Sequence, residues 1–154
     1  MRVLWAVVRS LIGAIFGVVS MLAVSPAISA FSTAENLQSS GLAALGIILA
    51  GGFLGLFAPT VRRAFGRGFL LAGVSFLALP LTTMLLSGKL ASDAVNRAPE
   101  AERAAAAIGS GLGGVLLTGA AAFVGLFLGA IFVIIGLVLA FGGRREVIII
   151  ERRT

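Results

Sequence analysis

The chain has 154 residues, 59% of them apolar and only 12% charged, with a net charge of +6 and a mean hydropathy of +1.13. Soluble domains carry roughly 25% charged residues, so this surface cannot be covered against water and lipid must be the main solvent. His, Cys and Tyr are all missing, which removes the usual ligands of zinc, haem and iron–sulfur centres, the Cys nucleophile and the base of a Ser-His-Asp triad.

Charges divide the chain into uncharged stretches: 25 residues between Arg9 and Glu35, 26 between Glu35 and Arg62, 21 between Arg67 and Lys89, and 40 between Arg103 and Arg144. A helix needs about 20 apolar residues to cross a hydrocarbon core about 30 Å thick. The first three stretches therefore predict spans at about 10–30, 41–60 and 68–88. The fourth would be about 60 Å long as one straight helix, yet two crossings would leave no turn. It reads as a helical approach over 99–114, opened by Pro99, Glu100 and Glu102, followed by a span at 117–141. Gly109-Ser-Gly-Leu-Gly-Gly114 separates the two, and each glycine weakens a helix by about 1 kcal/mol. A bend at the outer membrane surface is expected there; a re-entrant break is the alternative.

The N-terminal run ends in small residues, Ser25-Pro26-Ala27 and Ile28-Ser29-Ala30, which resemble a signal-peptide cleavage site. Arg9 interrupts that run, and the apolar stretch beyond it exceeds a signal sequence. An uncleaved first span is the expectation, with Trp5 at the interface between Arg2 and Arg9.

Placing both termini in the cytoplasm puts Arg2, Arg9, Arg62, Arg63, Arg67, Arg144, Arg145, Arg152 and Arg153 inside, and only Lys89, Arg97 and Arg103 outside. That nine-to-three split follows the positive-inside rule. Arg62, Arg63, Arg67, Arg144 and Arg145 are expected to bind anionic lipid headgroups, each cation being worth about 1 kcal/mol near the surface. Nucleic acid is not an expected partner: there is no soluble scaffold to carry it. Arg outnumbers Lys 11 to 1 and Ala and Gly abound, a bias that suggests a GC-rich bacterial genome and so a bacterial inner membrane.

Spans two, three and four hold no ionisable residue, which argues against proton- or ion-coupled transport. Pro80, mid-span in the third helix, removes one backbone bond and frees the carbonyl of Phe76, predicting a kink or hinge. Gly13/Gly17, Gly51/Gly55, Gly109/Gly113 and Gly125/Gly129 all have GxxxG spacing, which lets helix backbones approach closely, although 21 glycines make some such pairs inevitable. The stripes carry more weight: Ser10, Gly13, Gly17 and Ser20 on the first span, Gly41, Ala44, Ile48, Gly51, Gly55 and Ala58 on the second, Gly114, Thr118, Ala121, Gly125 and Gly129 on the fourth. Phe53/Phe57, Phe65/Phe69 and Phe123/Phe127 recur at i, i+4, as expected for packing or lipid contact rather than for a pigment or quinone. In the tail, Val147-Ile148-Ile149-Ile150 favours a strand after Gly142-Gly143 end the helix, with Ile148 and Ile150 as expected partner contacts.

The expected fold is an all-α integral membrane protein: a four-transmembrane-helix bundle with both ends inside and a short cytoplasmic tail, forming a single membrane domain over 1–154. The expected function is non-enzymatic, with no cofactor, metal or catalytic group. It is that of a structural or accessory subunit packing through Gly/Ala-rich faces against itself or a larger membrane complex. A homo-oligomeric pore, channel or holin-like permeabiliser is the alternative.

Overall fold

The computed structural model describes residues 2–32 and 37–142. Over these the protein is all-helical, with no strand. Helix α1 runs Arg2–Phe31, α2 Leu37–Leu56, α3 Val61–Leu77, α4 Leu79–Arg97 and α5 Arg103–Phe141, with a 3₁₀ turn at Glu100–Glu102. Three apolar helical runs are long enough to cross a membrane, Val3–Phe31, Val61–Arg97 and Glu100–Phe141; the fourth, Ser40–Leu56, is shorter. The tail expected to form a strand, with Arg144, Arg145, Ile148 and Ile150, lies outside the described residues.

Prolines set the boundaries. A residue before proline avoids the helical region, so α2 ends ahead of Ala58-Pro59, and Ala98 is extended (φ −72°, ψ 141°) ahead of Pro99. Thr60 restarts the chain as the N-cap of α3, its hydroxyl accepting from the Arg63 N–H at 3.3 Å. Pro26 lies inside α1 and cannot donate to Leu22 O; the Ser25 hydroxyl does so instead, at 2.8 Å. Apolar surroundings make such repairs necessary, because an unmet backbone group has no water to turn to.

The expected third span, 68–88, is longer and divided. Helix runs from Val61 to Arg97 with one interruption at Ala78, where α3 closes with an Ala78 N–H to Val74 O bond of 3.1 Å and α4 opens with Pro80 in its first turn. The fourth differs more. The expected approach (99–114) and span (117–141) are one uninterrupted helix, α5, of 39 residues, about 58 Å long. Gly109–Gly114 does not break it. A propensity penalty of about 1 kcal/mol per glycine favours a break. Opening the ladder there would strand several backbone groups beside apolar neighbours, at several kcal/mol each, and the second cost is the larger.

α1, α2, the α3/α4 run and α5 alternate in direction. Helix α1 packs on α2, α3 and α4, and α5 packs on α3 and α4. Two hairpins result, α1–α2 and α3/α4–α5, joined through the α1 face that meets α3 and α4. Phe16 fills that joint: its ring lies 4.7 Å from Phe69 and 6.0 Å from Phe65, and Phe132 of α5 continues the cluster at 5.5 Å from Phe69 and 5.6 Å from Phe76. Edge-on and tilted rings at these separations are a favoured arrangement.

Candidate functional site

The most closely built feature is the α1–α2 contact. A Cβ placed on Gly13 would strike the Gly51 carbonyl oxygen and lie 3.0 Å from Gly55 Cα; one on Gly17 would lie 2.9 Å from Ile48 Cα and O. Conversely, a Cβ on Gly51 would lie 2.5 Å from Gly13 O and 2.8 Å from Gly17 Cα, and one on Gly55 would strike Arg9 O. Four glycines thus bring two antiparallel backbones into direct contact, leaving no room for a methyl group. Ser10 Oγ adjoins Gly52 at the same seam.

Gly125 and Gly129 of α5 also sit at a close contact, but their partners are not glycines. A Cβ on Gly129 would lie 2.8 Å from Leu77 Cγ, and one on Gly125 would lie 2.5 Å from Phe76 O and 3.2 Å from Pro80 Cδ. Pro80 thereby acquires a specific role. The Phe76 carbonyl, which an N–H at position 80 would otherwise take, shares the Ala78 N–H with Val74 O and faces the bare Cα of Gly125. Gly66, Gly73 and Gly136 continue this seam against Ala140, Val133 and Leu70; none of the three stood out in the sequence. Gly109 and Gly113 share the GxxxG spacing, yet a methyl group on either would find nothing within 4 Å.

The cations form a second pattern that the sequence did not disclose. Arg9 donates to Trp5 O at 3.0 Å and to Ala58 O just past α2. Arg67 reaches Leu54 O in the last turn of α2, and Arg62 reaches Val138 O in the last turn of α5, both at 3.4 Å. At the opposite end Lys89 donates to Ser29 O (3.3 Å) and Ser32 O (2.5 Å) at the end of α1. Every one of these cations meets carbonyls at a helix C-terminus, where unpaired C=O groups and the negative end of the helix dipole favour positive charge. Arg67 and Lys89 also tie one hairpin to the other. Arg63 is exposed. Arg9 and Ser29 are separated by about 30 Å along α1, and Arg67 and Lys89 by about 33 Å, which matches the hydrocarbon thickness.

Buried polar side chains among the described residues are Ser20, Thr82 and Thr83. Thr83 donates to Leu79 O at 2.9 Å, and Thr82 to Leu79 O at 3.0 Å with Ala23 O at 3.5 Å; Ser20 Oγ has no partner. Phe53/Phe57 and Phe123/Phe127 pair along their own helices, with centroids 4.6 and 6.3 Å apart, on exposed faces. Phe65 and Phe69 instead meet Phe16. No group of three or more His, Cys, Asp or Glu placed to hold a metal occurs among the described residues. The chain matches no family model, and comparison with curated proteins and with solved structures returned no relative.

Proposed function

We propose that the protein is a small, non-enzymatic integral membrane protein that serves as a structural or accessory subunit of a membrane assembly, binding through Gly/Ala-rich helix faces. In this reading it crosses the bacterial inner membrane four times with both termini in the cytoplasm, and Arg62, Arg63 and Arg67, with Arg144 and Arg145 of the tail, meet anionic headgroups. The observation that carries it is the seating of Gly13 and Gly17 on Gly51 and Gly55. In lipid, apolar side chains gain little by leaving one apolar neighbour for another, so association depends on close backbone approach and interhelical polar contacts. A chain that already joins helices in this way is suited to joining others.

The supporting chemistry is negative in kind: spans two to four lack any titratable group, and proton or ion coupling in the bilayer needs one. A pore would have to form between chains, because phenylalanine rings occupy the joint between the two hairpins. Native purification in mild detergent, followed by measurement of stoichiometry, tests the reading. Recovery in a defined assembly without an axial channel supports it. A ring of identical chains around a continuous aqueous cavity would replace it with the pore.

A further inference from the structure

We propose that Arg63, with Arg67 one turn behind it on α3, holds the phosphate of one anionic phospholipid whose headgroup carries no cation, and that the lipid's chains lie along the outward face of that helix. The proposal rests on the reading above that this end of the bundle meets anionic headgroups, and deepens it by naming the side chains and the lipid class.

Three other arginines at this end are engaged within the chain: Arg9 holds Trp5 O and Ala58 O, Arg62 reaches Val138 O, and Arg67 reaches Leu54 O. Arg63 uses its backbone N–H on the Thr60 hydroxyl, but its guanidinium is exposed and has no partner among the described residues. The helix does not call for it either. The first turn of α3 carries Arg62 and Arg63 and no acid, and cations there face the positive end of the helix dipole. A guanidinium free of internal bonds, at the end of the helix that disfavours it, is accounted for by a partner outside the bundle.

That partner sits at the membrane boundary. Arg67 and Lys89 stand about 33 Å apart along the helix, close to the thickness of the hydrocarbon core, and Arg63 lies about 6 Å beyond Arg67, in the headgroup layer. Arg63 and Arg67 are neighbours at i, i+4, where like charges repel. A phosphate shared between them replaces that repulsion with two charge-assisted hydrogen bonds. Arg67 gives one N–H to Leu54 O and has others to offer. Positions 63, 67, 70 and 74 recur at i, i+4, i+7 and i+11, so one face of α3 carries the two arginines above and Leu70 and Val74 below. None of the helix's buried residues falls in that row, and Val74 is 62% exposed. Cations above an exposed apolar strip fit a lipid, phosphate and chain together; a free anion would use only the upper half.

Charge also selects among lipids. The acids among the described residues are Asp93, Glu100 and Glu102, and all three stand beyond Lys89 at the opposite end. A zwitterionic headgroup would bring an ammonium to a place where no carboxylate among the described residues can meet it. A headgroup built on an uncharged alcohol, as in phosphatidylglycerol, brings the phosphate alone and leaves no charge unmatched.

Native mass spectrometry of the full chain in neutral detergent, with equal amounts of dioleoylphosphatidylglycerol or dioleoylphosphatidylethanolamine added, counts the lipids retained. The parent should keep one phosphatidylglycerol, roughly tenfold more often than phosphatidylethanolamine, by the usual worth of a charged hydrogen bond. Arg63→Gln should lose about that factor while unfolding at the parent's temperature. Arg62→Gln, which removes the same charge one residue away on the side turned to α5, should lose no more than about twofold. Arg63→Lys keeps the charge without the planar fork; it should fall between the parent and Arg63→Gln, and carries the comparison if Arg63→Gln unfolds. Excess inorganic phosphate should not displace the lipid. Equal losses for Arg62→Gln and Arg63→Gln would overturn the site but leave diffuse attraction of headgroups to this end standing. Retention of both lipids alike would overturn the site and that attraction together. Displacement by inorganic phosphate would overturn the proposal in favour of a free anion.

Discussion

Replacing Gly51 by alanine should destabilise the α1–α2 contact, whereas the same change at Gly46, five residues earlier on the same helix, should not. The new methyl carbon at position 51 would lie 2.5 Å from Gly13 O and 2.8 Å from Gly17 Cα, against 3.4 Å for the start of ordinary contact. The shortfall is about 0.9 Å, and the obstructing atoms are backbone, so no side chain can swing aside. The helices must separate by about that distance. A radial gap of 0.5–1 Å forfeits a quarter to a half of the dispersion well for every atom pair across it, and overpacking of this kind costs about 1–3 kcal/mol. Alanine recovers up to about 1 kcal/mol of helix propensity, which leaves a net loss of about 0–2 kcal/mol, and about 1–3 kcal/mol relative to the same change at Gly46. At Gly46 a Cβ meets nothing within 4 Å, so only the propensity gain remains. Equilibrium unfolding by SDS in mixed micelles, followed by far-ultraviolet circular dichroism, would measure both variants against the parent. Equal stability of Gly51→Ala and Gly46→Ala would refute the claim that backbone contact holds this hairpin together.

Three further outcomes are expected. Gly125→Ala should destabilise by about 1–3 kcal/mol through overpacking, and less when combined with Pro80→Ala, because an N–H at position 80 can then draw the Phe76 carbonyl away from α5. A double-mutant cycle with a coupling energy near zero would argue against that link. Lys89→Met should lose the bonds to Ser29 O and Ser32 O and cost about 1.5–3 kcal/mol by the usual worth of charged hydrogen bonds, with Lys89→Arg retaining most of it; equal unfolding curves for Lys89→Met and the parent would remove the clamp from the account. Reporter fusions after residue 95 and at residue 154 should report opposite sides of the membrane, and the same side for both would sink the four-crossing topology.

The long apolar helices were legible because charge interrupts hydrophobicity at intervals set by bilayer thickness, and so were the glycine stripes of α1 and α2, because their period is short and regular. What pairs with what was not. Gly125 and Gly129 have the same spacing as Gly13 and Gly17, yet they meet a carbonyl and a leucine rather than a second glycine pair, and Gly109 and Gly113 meet nothing. Register and crossing distance decide such outcomes, and a single helix's sequence does not encode its neighbour's position. The carbonyl partners of Arg9, Arg62, Arg67 and Lys89 were hidden for a related reason: each except Arg9's bond to Trp5 joins separate elements. The continuity of α5 was missed because a propensity measured in water was applied where the alternative to helix is an unmet backbone group.

The fastening of cations to helix ends bears on how the protein meets bilayers of different thickness. Long basic side chains at membrane boundaries ordinarily extend or retract to keep their charge among the headgroups. Arg67 and Lys89 hold backbone carbonyls of neighbouring helices, so following a thinner or thicker membrane would break those bonds. The bilayer must therefore deform around the protein, at a fraction of a kcal/mol for each ångström of mismatch, and the chain should gather where the membrane already has the thickness it requires.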